Sequence, residues 1–345
     1  MATRATRSPA TPSAPRVLFI CGTPNQTTQL HAVARELTRR VACQTCFTPF
    51  YQLGATRWLI RTGVLDHTIL GRPLRERCRA YLREHHLPID ERGRTGDYDL
   101  VVTCTDLLIP QNIASDRLLV VQEGMLDAET RWARWVDELQ LPPYFSGTTW
   151  TGARGRYARF CVASEGFREL LITRGAPAHK LRVTGIPNFD DCARFRHNDL
   201  RDRGYVLVCT SDLRETFRRD DRARFLTRVL RIAGGRPLHI KLHPNELRPR
   251  AIREITAHCP RAFIHAPDAP TEALIAQCSV LITQVSSVTF VGLALGKEVH
   301  SDLDLRALRR LMPLQNGGRS AAHIAEECRE LLAAERTLPL TKVSA

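Results

Sequence analysis

The sequence predicts an α/β protein made of two successive parallel-sheet units, and three observations carry that expectation. Short apolar runs alternate with amphipathic stretches of helical length from Arg16 almost to the C-terminus. A polar, charged stretch over residues 188–204 interrupts the alternation and is followed by a fresh first strand. The chain has 345 residues, enough for two domains at roughly 100–200 residues each. Strands that alternate with helices form parallel sheets joined by right-handed crossovers.

In the first half, Arg16 to Cys21 reads as a buried strand, and Gly22 to Thr28 as a polar loop. Gln29 to Arg40 follows as a helix with Leu30, Val33, Ala34 and Leu37 on one face. Val41 to Phe47 is strand-like, as are Asp99 to Thr103, Arg117 to Val121 and Arg159 to Val162, all rich in Val and Leu. The second half opens with the strand Tyr205 to Cys209 and a long basic helix, Glu215 to Ile232, ending at Gly234-Gly235. Further strands are expected at Pro237 to Leu242, Ala262 to Ile264, Val280 to Ile282 and Lys297 to His300. The intervening helices fall at Leu247 to His258, Thr271 to Gln277 and Val288 to Leu295. The organisation is then a loose tail over 1–15, a first unit over 16–190, a linker over 191–204 and a second unit over 205–320. A terminal helix over 321–345 is a candidate to pack back on the first unit.

Lys and Arg number 50 against 36 Asp and Glu, a net charge of +14, which favours anionic partners without choosing among them. No apolar run reaches the ~18 residues of a membrane span, and the first fifteen residues lack the apolar centre of a secretory signal. Eleven cysteines without such a signal suit reduced thiols in a cytoplasmic protein. Cys43 and Cys46 have C-x-x-C spacing, but no second pair accompanies them, so they read as small hydrophobes of a strand. Nucleic acid is not an expected partner. Aromatic residues make up only 6%, the strands offer no stacking platform, and the Arg214 to Arg231 charges read as a solvated helix face. Thr130 to Arg156 carries Trp132, Trp135, Tyr144, Phe145 and Trp150, which suit either a cover over the first core or contact with an acceptor or an anionic membrane.

Ligands of parallel α/β sheets bind beyond the carboxyl ends of the strands, and this sequence repeatedly places small, polar or acidic residues there. Gly22, Thr23, Asn25, Thr27 and Thr28 follow the first strand, Asp106 a later one, and Gln122-Glu123-Gly124 the next. In the second half the equivalent positions hold Thr210-Ser211, His243-Pro244-Asn245 and Ser286-Ser287. An imidazole and an amide beside a helix opened by proline suit phosphate oxygens, as do paired hydroxyls before a helix, although serine is also an ordinary cap. Glu123, with glycine next to it, is a candidate general base, and Asp106 is its competitor.

These residues resemble a known superfamily. Ile240-Lys241-Leu242-His243-Pro244-Asn245 looks like the His-Pro motif of bacterial sialyltransferases and capsule-type transferases, and Leu281 to Val288, continuing to Gly296-Lys297-Glu298-Val299, is similar to their serine motif. Gln122-Glu123-Gly124 resembles their acidic-acidic-Gly motif, with Gln122 in place of the first acid. The resemblance implies GT-B architecture, two Rossmann-like domains whose parallel sheets face a central cleft. The function expected on this basis is an inverting transfer of a sugar from a nucleotide-activated donor to a hydroxyl of a glycan or other acceptor, metal-independent because helix dipoles and neutral donors can meet the phosphate charge, with no cofactor beyond that co-substrate. His243, Asn245, Ser286 and Ser287, together with Thr210 and Ser211, would hold the donor. Glu123 or Asp106 would be the base, His243 would stabilise the leaving phosphate, and the Gly22 to Thr28 loop would face the acceptor. CDP-glycerol polyol-phosphate transferases share the Ser-Ser and His-Pro-Asn elements. Non-hydrolysing UDP-N-acetylglucosamine epimerases share the fold and an element like Val183-Thr184-Gly185. Both therefore stand as alternatives, and a non-catalytic protein that uses its +14 charge to bind nucleic acid or anionic lipid is a third.

Overall fold

A computed structural model describes residues 14–49, 71–91, 93, 97–107, 114–141, 143–215 and 218–337, so nearly all of the tail lies outside the described residues. Among these residues two sheets form. The first joins β1 (Arg16–Ile20), β2 (Gln44–Thr48), β3 (Leu100–Thr103), β4 (Leu118–Val121), β5 (Arg159–Val162) and β6 (Leu181–Val183) in the order β2-β1-β3-β4-β5-β6. The second joins β7 (Val206–Cys209), β8 (Leu238–Lys241), β9 (Phe263–His265), β10 (Val280–Thr283) and β11 (Glu298–His300) in the order β11-β10-β7-β8-β9. Every pairing is parallel. Both sheets are buried on both faces, which is why β1, β3, β4, β7 and β10 read as unbroken apolar runs.

The strand order reverses between β1 and β3 in one sheet and between β7 and β10 in the other. Loops leaving such a point diverge to opposite faces and open a crevice at the carboxyl edge. All strands expected from the sequence form, within a residue or two at each end except β2, which starts at Gln44, three residues after the expected Val41. The short edge strand β6 had no comparable apolar run to announce it.

Helix α1 (Pro24–Arg40) begins five residues before its expected start, because Thr23 caps it and Pro24 occupies its first turn. Helices α2 (Arg72–Glu84), α3 (Arg131–Glu138) and α4 (Glu165–Thr173) complete the first unit. In the second, α5 spans Arg222–Ala233, capped by Asp221 and closed by left-handed Gly234. The expected start at Glu215 is therefore wrong by two turns. Helices α6 (Arg248–His258), α7 (Thr271–Gln277) and α8 (Val288–Ala294) follow.

The chain returns to the first unit earlier than residue 320. Leu308 of α9 (Leu305–Arg310) already belongs to the first core, and Ser164 donates to the Leu311 carbonyl at 3.1 Å. Gly166 makes this contact possible, since a β-carbon there would lie 1.9 Å from the Arg310 carbonyl oxygen. Helix α10 (Ser320–Thr337) then lies along α1, burying Ile324, Ala325, Cys328 and Leu332 in the same core as Leu30, Val33 and Leu37. Phe290 of α8 crosses the other way and meets Phe167 and Phe189 edge-on, with ring centres 6.1 and 6.2 Å away.

Candidate active site

The first unit presents a carboxylate held by neutral donors. Glu123, one residue beyond the loop start after β4, accepts the Thr23 hydroxyl at 2.8 Å and the Gln26 amide at 2.6 Å. Gln26 is itself fixed, because its carbonyl oxygen accepts the Gly22 N–H at 2.8 Å. Burial pushes the Glu123 carboxyl above its ordinary range, and the two hydrogen bonds only partly oppose this. A carboxylate with raised basicity beside a cleft can accept a hydroxyl proton.

Gln122 is not a weakened copy of an acid. It is 1% exposed, its amide donates to the Gly124 carbonyl at 2.7 Å, and its carbonyl oxygen accepts the Ala163 N–H at 2.9 Å. Only a group with both a donor and an acceptor can close that bracket, which sets the loop displaying Glu123. Asp106 is placed differently. Its carboxylate accepts the Gly152 N–H at 2.8 Å and braces the turn around that glycine, and burial pushes its pKa up to about 6.

The expected acceptor-side loop is shorter than the sequence suggested. Only Gly22 and Thr23 precede α1, while Asn25, Thr27 and Thr28 lie in its first two turns. Thr27 is fully buried and donates back to the Thr23 carbonyl, so it cannot face a cleft.

In the second unit His243 follows β8. Its ring Nδ1 accepts the Asn245 N–H at 3.3 Å, with an Asp212 carboxylate oxygen 3.5 Å away. Burial lowers its pKa against the pull of the Asp212 and Glu246 carboxylates, so the ring is neutral near pH 7. With Nδ1 accepting, the tautomer assigned is the one with its proton on Nε2, a donor suited to a phosphate oxygen. The Asn245 amide nitrogen donates to Asp212 at 3.1 Å from an exposed position.

Thr210 departs from the expectation of direct donor contact. It is 2% exposed, its hydroxyl donates to Glu246 at 2.5 Å, and its oxygen accepts the His243 N–H at 2.9 Å. Both capacities are therefore spent inside the protein. Ser211 is 3% exposed and reaches the Val285 carbonyl at 3.5 Å, tying the β7 loop to the serine loop. Ser286 and Ser287 are half-buried; Ser286 accepts the Val288 N–H at 3.4 Å, while Ser287, at the cap of α8, makes no side-chain capping bond. His243 and the serines share one rim with β7 between their strands, a separation of about 10 Å from two strand spacings.

The two units meet over this rim. A β-carbon added to Gly124 would lie 3.9 Å from the Ser287 β-carbon. Arg218 pairs with Asp127 at 2.8 Å, and Asn188 donates to the Asn25 carbonyl at 3.2 Å. Among the described residues no group of three or more His, Cys, Asp or Glu is arranged to hold a metal. The sequence has two Asp-x-Asp spacings, Asp97/Asp99 and Asp302/Asp304; Asp99 accepts the Arg16 N–H, Asp302 pairs with Arg228, and Asp304 caps α9. No helix among the described residues is long and apolar enough to cross a membrane. Trp132, Trp135 and Phe145 stand more than half exposed, with the Trp132 ring N–H on the Phe145 carbonyl, whereas Trp150 turns inward to the Ala133 carbonyl.

Sequence reasoning assigned no role to Gln26, Glu246 or Arg222: Gln26 and Glu246 act on partners 97 and 36 positions away, and Arg222 joins nearby Asp220 to Glu246, 24 positions on. It also took the Arg214 to Arg231 charges for a solvated face, whereas Arg222 is 5% exposed and paired with Glu246 and Asp220.

Two parallel Rossmann-like sheets with facing carboxyl edges define a GT-B architecture. No family model and no curated protein sequence matches the chain. Solved structures do. UDP-GlcNAc 2-epimerase from Neisseria meningitidis, bound to UDP-GlcNAc, is similar at a TM-score of 0.55 and 13% identity, over 91% of this chain and 100% of that one. MnaA of S. aureus, in a co-structure with UDP, gives a TM-score of 0.55 at 9% identity, over 94% and 99%. The wall teichoic acid polymerase TagF gives 0.50 at 10% identity, over 93% and 90%. These likenesses establish the fold.

Proposed function

We propose that the protein is an inverting glycosyltransferase that moves a sugar from a nucleotide-activated donor to a hydroxyl acceptor. The observation that carries this is the approach of Gly124 to Ser287, which sets the Glu123 loop against the serine rim. The donor lies against the second unit, its phosphate oxygens taking hydrogen bonds from His243 Nε2–H, the Asn245 amide and the Ser286 and Ser287 hydroxyls. The acceptor oxygen attacks the anomeric carbon as the bond from that carbon to the nucleotide phosphate oxygen breaks. Its proton passes to Glu123, and the leaving negative charge is met by His243 and the serines. Attack opposite the leaving group inverts the anomeric centre.

A thermal-shift panel of UDP, CDP, CMP and their sugar conjugates tests the donor assignment, since a ligand that binds only the native state raises its stability. Selective stabilisation that is lost in His243→Ala supports it; an unchanged response in that variant removes the phosphate role of His243. A second reading, epimerisation, is favoured by the likeness to the UDP-GlcNAc 2-epimerase structure. Exchange of the sugar C2 proton with solvent on incubation with UDP-N-acetylglucosamine alone decides for it, and acceptor-dependent release of nucleotide decides against it.

A further inference from the structure

Beneath the rim lies a buried charge cluster. Arg222, the first residue of α5, is 5% exposed and reaches two carboxylates that are fully buried, Glu246 and Asp220. Each leads to a different edge of the site. Glu246 takes the Thr210 hydroxyl at 2.5 Å, and Thr210 takes the His243 N–H at 2.9 Å, fixing the backbone from which the imidazole projects. Asp220 takes the Gln284 amide at 3.0 Å, and Gln284 leads into Val285-Ser286-Ser287. The Gln284 carbonyl additionally accepts the Ser301 hydroxyl at 2.8 Å, so that segment is anchored from both sides.

We infer that Arg222 is a positioning residue that keeps the histidine edge and the serine edge of the rim in register. These edges leave different strands, with β7 between them, and Ser211, in the loop after β7, reaches the serine edge through its 3.5 Å contact with the Val285 carbonyl. A guanidinium is suited to the task because its planar fork engages two carboxylates in fixed directions, which an ammonium cannot. Burial shields the cluster from screening, and because Arg214 also lies 3.4 Å from Asp220, it is the Arg222–Glu246 pairing whose loss leaves a buried charge least compensated. The consequence for nucleotide binding rests on the donor reading proposed above; the mechanical coupling does not.

Amide hydrogen exchange on the full chain, resolved by mass spectrometry over peptides spanning 241–247 and 282–289, tests the coupling. Thr210→Val should speed exchange at the first peptide and Gln284→Ala at the second, while Arg222→Lys speeds both by about tenfold with the rest of the second sheet unchanged. An Arg222→Lys protein altered at one edge alone, or uniformly across the sheet, overturns the inference. Should that variant fail to fold, the Thr210→Val/Gln284→Ala double variant decides: non-additive exchange supports coupling through Arg222, and strictly additive exchange overturns it. Titration with UDP separates the two proposals. If the wild type takes up no UDP, the donor reading fails while the exchange data still judge Arg222. If it does bind, Arg222→Lys should weaken UDP by about tenfold or more through misplacement of its contacts, and Thr210→Ser should restore what Thr210→Val loses.

Discussion

Gly124 of the first unit lies against Ser287 of the second, close enough that a β-carbon at 124 would be 3.9 Å from the serine β-carbon and 3.7 Å from the Phe189 ring. Those are ordinary contact distances, so Gly124→Ala should fold and melt like the wild type. Gly124→Leu adds three further carbons at this contact and must push the Glu123 loop and the serines apart. Its turnover of whichever nucleotide sugar stabilises the wild type should fall by about 100-fold, since small misplacements at a reacting centre have effects of that size. Steady-state kinetics on the two variants checks this, and equal activity would show that this contact is not on the reaction path.

The two candidate bases separate by substitution and by pH. Glu123→Gln should lower the chemical step by about 10²–10⁴-fold, the usual range for a lost general base, whereas Asp106→Asn should retain it. Asp106 should appear in stability instead. Its pKa rises from 3.8 to about 6 on folding, so the protein loses stability as pH climbs through that window and the loss is complete above it. Asparagine keeps an acceptor for the Gly152 N–H and carries no charge. Denaturant melts should therefore show Asp106→Asn gaining on the wild type between pH 4 and 7, by up to about 3 kcal/mol at 1.36 kcal/mol per pKa unit.

What the sequence disclosed and what it withheld follow from how far apart the interacting residues lie. Strands β1, β3, β4, β7 and β10 are buried on both faces, so each is a local apolar run and was legible. The rim residues were legible for the same reason, since position after a strand is a local property. The roles of Gln26, Glu246 and Arg222 were not, because an amide or a charge takes its meaning from its partner. Gln26 and Glu123 are separated by 97 positions, and Glu246 and Thr210 by 36. Arg222 sits in a run of arginines that looks solvated from one end to the other, and only its contact with two buried carboxylates sets it apart. The start of α5 was misplaced because helix-forming residues precede a cap, Asp221, that is one acid among several neighbours.

Arg218 and Asp127 join the units at 2.8 Å, with Thr148 giving Asp127 two further hydrogen bonds of 3.0 Å from its N–H and hydroxyl. Burial raises the cost of ionising Asp127, yet Arg218 and Thr148 hold its carboxyl below the usual range. The Arg218 side chain is 48% exposed, so solvent screens much of the pairing. Arg218→Ala should lose at most about 1 kcal/mol at low salt, a difference that disappears at about 1 M NaCl. Thermal melts across a salt series measure it; a loss that persists at high salt would mean that Arg218 acts through packing instead.

Restoring an acid at position 122 tests whether its neutrality is a requirement of the fold. In Gln122→Glu one oxygen can still accept the Ala163 N–H, but the other would face the Gly124 carbonyl, acceptor against acceptor, at a site that is 1% exposed. The ionised variant loses a hydrogen bond and buries a charge, so it should be destabilised by about 3 kcal/mol or more at pH 7. Protonation repairs the bracket, because a carboxylic acid can donate to Gly124. The native state therefore raises the pKa of this new acid, and the penalty should shrink as pH falls toward 4 and grow as pH rises. A denaturation series at pH 4, 5.5 and 7 reads this directly. A penalty independent of pH would mean that shape rather than the missing donor is at fault, and no penalty at all would mean that the Glu123 loop does not depend on Gln122.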